Sequence, residues 1–187
     1  GDVYKRQDGV VIDQKRNQIF WTHHDDTIMR AELDGSNAST LYDPFAAPYG
    51  LAIDVSGEKI YWTSKGGNPR VMRANLDGTG VETVVSGPCT NNRCRGLAFD
   101  PINKRIYWAE GLEGGKIMSA GTSDEAIAAF GNAQQVYVMA GRATGVAVDA
   151  PNGMLYWTET GVEAGHNAVR SSFLDGTSVN TLYDLSL

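Results

Sequence analysis

The chain has 187 residues, 42% of them hydrophobic and 20% charged, the balance of an ordinary folded domain rather than of a disordered segment. Its formal net charge of −6 argues against a nucleic-acid surface, which needs clustered Lys and Arg to displace phosphate counterions, and equally against an anionic membrane face. No run approaches the roughly 18 uninterrupted apolar residues of a spanning helix, and no charged-then-apolar leader opens the sequence, so membrane insertion by this segment is not expected.

Residues 1–7 (GDVYKRQ) match nothing downstream, resemble translated sequencing-adapter sequence, and are set aside from fold reasoning. Residues 8–187 then read as one region of four units. The first, about 8–43, runs GVVID, the polar turn QKRNQ, IFWT, TIMRAEL, Asp34-Gly35 and STLYD. The second, about 49–87, runs GLAID, VSGEK, IYWT, RVMRANL, Asp77-Gly78 and ETVVSG. In the third, about 95–141, GLAFD, PINKR, IYWA and KIMSAG lead into DEAIAAF, a helix-tolerant insertion at 124–130, with no Asp-Gly step. The fourth, about 144–184, restores the pattern with GVAVD, APNG, LYWT, AVRSSFL, Asp175-Gly176 and NTLYD.

The spacing is what makes these units repeats. Trp21, Trp62, Trp108 and Trp157 are separated by 41, 46 and 49 residues. Each follows an aspartate (Asp13, Asp54, Asp100, Asp149) by eight residues, and each aspartate follows a glycine (Gly9, Gly50, Gly96, Gly145) by four. Short apolar runs broken by turn residues, with Asp-Gly as a hairpin signal, predict a four-stranded antiparallel meander per unit. Four short strands per unit of this length is the period of a β-propeller blade, so the expected fold is all-β, a propeller with four blades present. The tryptophans, mid-strand in apolar runs, are expected to pack between blades. The aspartates, each just before a turn, are expected to accept hydrogen bonds from turn amides.

At GLAID and IYWT the sequence resembles the YWTD repeats, also called low-density lipoprotein receptor class B repeats. The resemblance covers residues 8–184 and is closest in the second unit. It implies a six-bladed propeller in cell-surface receptors or matrix proteins, with protein ligands on one face, so four units read as part of a ring. The position after the Trp-Thr pair departs from the family: it is His23, Ser64, Glu110 and Glu159, never Asp. Ala109 replaces Thr in the third unit and Phe20 replaces Tyr in the first.

In a meander, the connection between strands two and three shares an end with the blade-to-blade connection. Candidate ligand-binding residues therefore follow each Trp (His23, Lys65, Glu110, Glu159) or precede each repeat glycine (Tyr49, Arg95, Thr144). Tyr49 and Arg95 lead, because aromatic and arginine side chains dominate binding hot spots. Gly50, Asp54, Trp62, Gly96, Asp100, Trp108, Gly145, Asp149 and Trp157 are assigned structural roles. Cys89 and Cys94 are too few for a zinc site and suit a loop-pinning disulfide in an oxidising compartment. Asn37-Ala38-Ser39 is an N-glycosylation sequon. His23-His24-Asp25-Asp26 holds ligand-type residues, but neighbours on a strand point to opposite faces, so no metal is assigned. No G-x-S-x-G elbow, H-E-x-x-H helix or phosphate-cradling glycine loop occurs, and no cofactor is expected. The expected function is protein-ligand or peptide binding in an extracellular or cell-surface setting. A metal-dependent hydrolase or lactonase-like propeller and a structural spacer are the alternatives.

Overall fold

The computed structural model describes residues 9–23, 25–43, 48–64, 69–87, 94–111, 114–128, 132–139, 141–161 and 167–185. They form four antiparallel four-stranded sheets in sequence order. The first blade is β1 (Val10–Asp13), β2 (Gln18–Thr22), β3 (Ile28–Glu32) and β4 (Ser39–Tyr42). The second is β5 (Pro48–Asp54), β6 (Lys59–Ser64), β7 (Arg70–Asn75) and β8 (Glu82–Ser86). The third is β9 (Cys94–Asp100), β10 (Arg105–Glu110), β11 (Lys116–Gly121) and β12 (Gln134–Val138), with the helix α1 (Asp124–Ala128) between its last two strands. The fourth is β13 (Arg142–Asp149), β14 (Met154–Thr160), β15 (Asn167–Phe173) and β16 (Asn180–Leu185).

The aromatic pair of the motif works by period-two alternation, in which successive side chains leave opposite faces of a strand. Trp62 turns back into the core with Phe20 and Ile28 of the first blade. Tyr61, its neighbour, turns forward into the core with Leu97 and Ile106 of the third. Trp157 packs back on Tyr107 and Ile117 in the same way. The preceding blade caps the indole from its fourth strand: Tyr42 lies 5.4 Å from Trp62 and Tyr137 lies 5.1 Å from Trp157, centroid to centroid. Trp62, Trp108 and Trp157 are each at most 2% exposed, yet their indole N–H groups have no hydrogen-bond partner among the described residues. These rings are therefore held by packing, and truncating one to Ala costs about 3–5 kcal/mol.

The first strands β1, β5, β9 and β13 run side by side, and the repeat glycines mark where they approach. A Cβ on Gly9 would lie 2.7 Å from the Tyr49 carbonyl oxygen, one on Gly50 would lie 2.5 Å from that of Arg95, and one on Gly96 would lie 2.9 Å from that of Thr144. The motif threonine completes this contact. The amides of Gly9, Gly50 and Gly145 each donate to the hydroxyl of Thr22, Thr63 or Thr158 at 2.9 Å. Thr63 also donates to the Arg95 carbonyl of the next blade at 3.2 Å. Ala109 cannot make this bond in the third blade.

At the opposite end, the aspartates organise the turns between first and second strands. Asp13 accepts from the amides of Lys15 and Arg16, Asp54 from that of Gly57, Asp100 from those of Ile102 and Asn103, and Asp149 from that of Asn152. These turns also link blades: Arg16 reaches Glu58, and Lys104 Nζ donates to Asp54 at 3.0 Å. Burial alone would raise the Asp54 carboxyl. Hydrogen bonds from Ser56, the Gly57 amide and Lys104 outweigh burial and hold it below the usual carboxylate range.

Candidate functional site

The pre-glycine residues owe their positions to a recurring irregularity. Pairing of the first two strands slips between Pro48 and Leu51 and between Ala143 and Val146, and in the third blade the pairing with β9 slips opposite Trp108 and Glu110. A bulge locally re-aims a strand's side chains. Here it puts Tyr49, Arg95 and Thr144 where the blades meet, each partly exposed. Thr144 is tied down by its own blade, its hydroxyl 2.7 Å from that of Thr158.

Tyr49 and Arg95 are brought together across two blades. The Arg95 guanidinium donates to the Tyr49 hydroxyl at 3.4 Å and its carbon lies 6.0 Å from the ring centre. The arginine stem crosses Gly111, where a Cβ would come within 2.1 Å of its Nε, so only glycine leaves room for it there. That Nε is buried and has no hydrogen-bond partner among the described residues.

The residues that follow each tryptophan divide. His23 stays partly exposed, its Nδ1 2.7 Å from Asp25. The Thr27 hydroxyl first, and His23 second, bring the Asp25 carboxyl down to about 2. Ser64 is buried, bonded to the amide of Arg70 at 3.1 Å. Glu110 and Glu159, expected on the display surface, are instead buried inside it. Glu110 lies 3.8 Å from Lys116, and Glu159 accepts from Arg170 at 2.7 Å and from the Gly141 amide at 3.1 Å. A buried carboxylate is stable only when paired, and these two are spent on holding their own sheets. Lys65 and Cys89 lie outside the described residues. Cys94 is disulfide-bonded, and Asn37 is exposed in the turn after β3, in the left-handed region at φ 55.

Among the described residues no group of three or more His, Cys, Asp or Glu side chains is arranged to hold a metal ion, and no helix is long and apolar enough to cross a membrane. The bulges, the glycine bed under Arg95 and the burial of the two glutamates carry no sequence signal of their own. The position of Tyr49 and Arg95 before the repeat glycine does.

No family model matches the chain. Over 112 residues it is 31% identical to protein cueball of Drosophila erecta, covering 57% of this chain and 17% of that protein. Over 180 residues it is 28% identical to low-density lipoprotein receptor-related protein 1 of Pyricularia oryzae, covering 82% of this chain and 57% of that protein. The chain thus spans less than two thirds of these curated relatives. Among solved structures, one from a nidogen/laminin complex superimposes with a TM-score of 0.82 at 22% identity, covering 97% of this chain and 66% of that chain. An oligogalacturonate lyase in complex with manganese shares the fold more distantly, with a TM-score of 0.66 at 11% identity over 96% of this chain and 54% of that one.

Proposed function

The chain belongs to the YWTD-repeat β-propellers, and on that premise we propose that it is a binding module whose protein or peptide ligand sits on the face carrying Tyr49, Arg95, Thr144 and His23. The observation that carries this reading is Arg95. Its side chain is partly exposed, and among the described residues its guanidinium engages only the Tyr49 side chain, which leaves charge-assisted donors for an external acceptor. The adjoining Tyr49 ring supplies the rigid apolar area that binding hot spots use. Its similarity to a low-density lipoprotein receptor-related protein, and its fold likeness to a structure from a nidogen/laminin complex, agree with a binding or scaffolding role. An extracellular or cell-surface setting goes with this reading, because oxidising compartments sustain the Cys94 disulfide and the sequon asparagine is exposed. The role requires no cofactor.

Selection of displayed random peptides on the immobilised chain tests the reading. Peptides enriched on the wild type are expected to bind Arg95→Met and Tyr49→Ala at least about tenfold more weakly, the worth of one charge-assisted hydrogen bond or aromatic anchor. Undiminished binding to both variants would move the ligand off this face.

A further inference from the structure

A polar cavity of about 440 Å³ opens between the first two blades at the end opposite Tyr49 and Arg95, and its lining includes Arg16, Arg30, Gln18, Glu58, Asn75 and Asp77. Most of these groups are already engaged. Arg16 is held by Asp13 and Glu58, Asp77 accepts from the amide and hydroxyl of Thr79, and Asn75 accepts from Lys59 and donates to Thr79. Arg30 is different: its guanidinium makes no hydrogen bond or ion pair among the described residues. The Asp77 carboxyl sits below the usual range first because of Thr79, with the charge of Arg30 only the last of the causes.

The second blade shows what this guanidinium lacks. Arg30 stands opposite Phe20 in the first blade as Arg73 stands opposite Tyr61 in the second, so the two arginines share a register and both point toward the following blade. Arg73 is buried and fully engaged. It donates to Glu82 at 2.7 Å, to the Thr122 carbonyl at 2.7 Å and to Asp124 at 2.6 Å; Thr122 follows β11 as Leu76 follows β7, and Asp124 comes from the insertion that the third blade carries. At Arg30 both acidic partners are missing. Its cross-strand partner is Ser39 where Arg73 has Glu82, and the second blade has only the tight Asp77-Gly78 turn where the third has its insertion.

We propose that the cavity is a second binding site, independent of the opposite face, in which Arg30 takes an external carboxylate as Arg73 takes Asp124. Gln18 and Asn75 flank the position with amides and Glu58 and Asp77 with acceptors, which suits a carboxylate bearing neighbouring hydroxyls, the chemistry of a sugar acid. The same carboxylate chemistry is offered by an acidic side chain, and the probes separate the two sources.

The test is titration calorimetry of the whole chain with glucuronate, glucose and N-acetyl-aspartate amide, on the wild type, Arg30→Met and Ser39→Glu. Ser39→Glu gives Arg30 the internal partner that Arg73 already has, so it blocks the site without emptying it. Saturable glucuronate binding, at least about tenfold tighter than glucose and lost in both variants, is the expected result. Tighter capture of the aspartate derivative with the same losses keeps the carboxylate site and assigns it to a protein side chain. No saturable binding of either acid, or binding that survives Arg30→Met, overturns the proposal.

Discussion

Gly50 and Gly153 are glycines for different physical reasons. Gly50 has no room: its Cβ would meet the Arg95 carbonyl oxygen at 2.5 Å and the Leu97 amide nitrogen at 3.0 Å. Gly153 has room on every side but sits at φ 66, where any Cβ is disfavoured. Its counterparts Asn17, Glu58 and Lys104 accept the same conformation at φ 58, 55 and 50. In denaturant unfolding, Gly50→Ala is expected to cost about 1–3 kcal/mol by overpacking and Gly153→Ala about 1 kcal/mol by backbone strain. Gly145→Ala, whose Cβ would meet only the Thr158 hydroxyl at 3.2 Å, is expected to cost clearly less than Gly50→Ala. Equal losses at 50 and 145 would mean that close approach of neighbouring first strands is not what selects glycine. Thr63→Val keeps the shape but leaves the Gly50 amide without its acceptor, a loss of about 1–3 kcal/mol in the same assay.

Elements report how far local pattern reaches. The four-strand meander was legible because GxAxD, the Trp spacing and Asp-Gly each constrain neighbouring residues, and Gly35, Gly78 and Gly176 take the positive φ (84, 88 and 85) those turns demand. Of the helix-tolerant stretch 124–130, α1 covers Asp124–Ala128, and residues 129–130 lie outside the described residues. The burial of Glu110 and Glu159 was not legible at all. It depends on Lys116, Arg170 and a backbone amide that reach them only after pairing, whereas a charged residue after a strand otherwise reads as solvated. The helix α1 is too short to hold itself, and its anchor is the buried Arg73 of the preceding blade. Arg73→Met is expected to raise hydrogen exchange through residues 122–128 while β5, β6 and β9 stay protected. Unchanged protection of the insertion would assign its stability to contacts within the third blade.

At the scale of the molecule, blades are joined by three apolar cores and by charged links between turns. The terminal faces show the same register without a neighbour: Tyr183 matches Tyr42 and Tyr137 in its pairing but is 58% exposed, and Val10 and Ile12 are exposed on the first blade. Asp34, Asp77 and Asp175 are held below the usual carboxylate range by the hydroxyls and amides of their turns, and Asp54 by the links described above. Groups with a depressed native pKa stabilise the fold above their unfolded value, about 3.9 for Asp, and that contribution fades as pH falls through the native values. Tryptophan fluorescence is therefore expected to report stability that is flat above about pH 5 and declines below about pH 4; stability that rises on acidification would contradict this. The central claim is that the repeated Gly, Thr, Asp and Trp positions build the scaffold while recognition is written between them, on the face of Tyr49 and Arg95. Hydrogen exchange of the chain bound to a peptide selected on it tests that claim most directly. Protection is expected at residues 49–50, 95–96 and 143–145, and protection confined to the opposite turns at 34–36, 77–79 and 175–177 would contradict it.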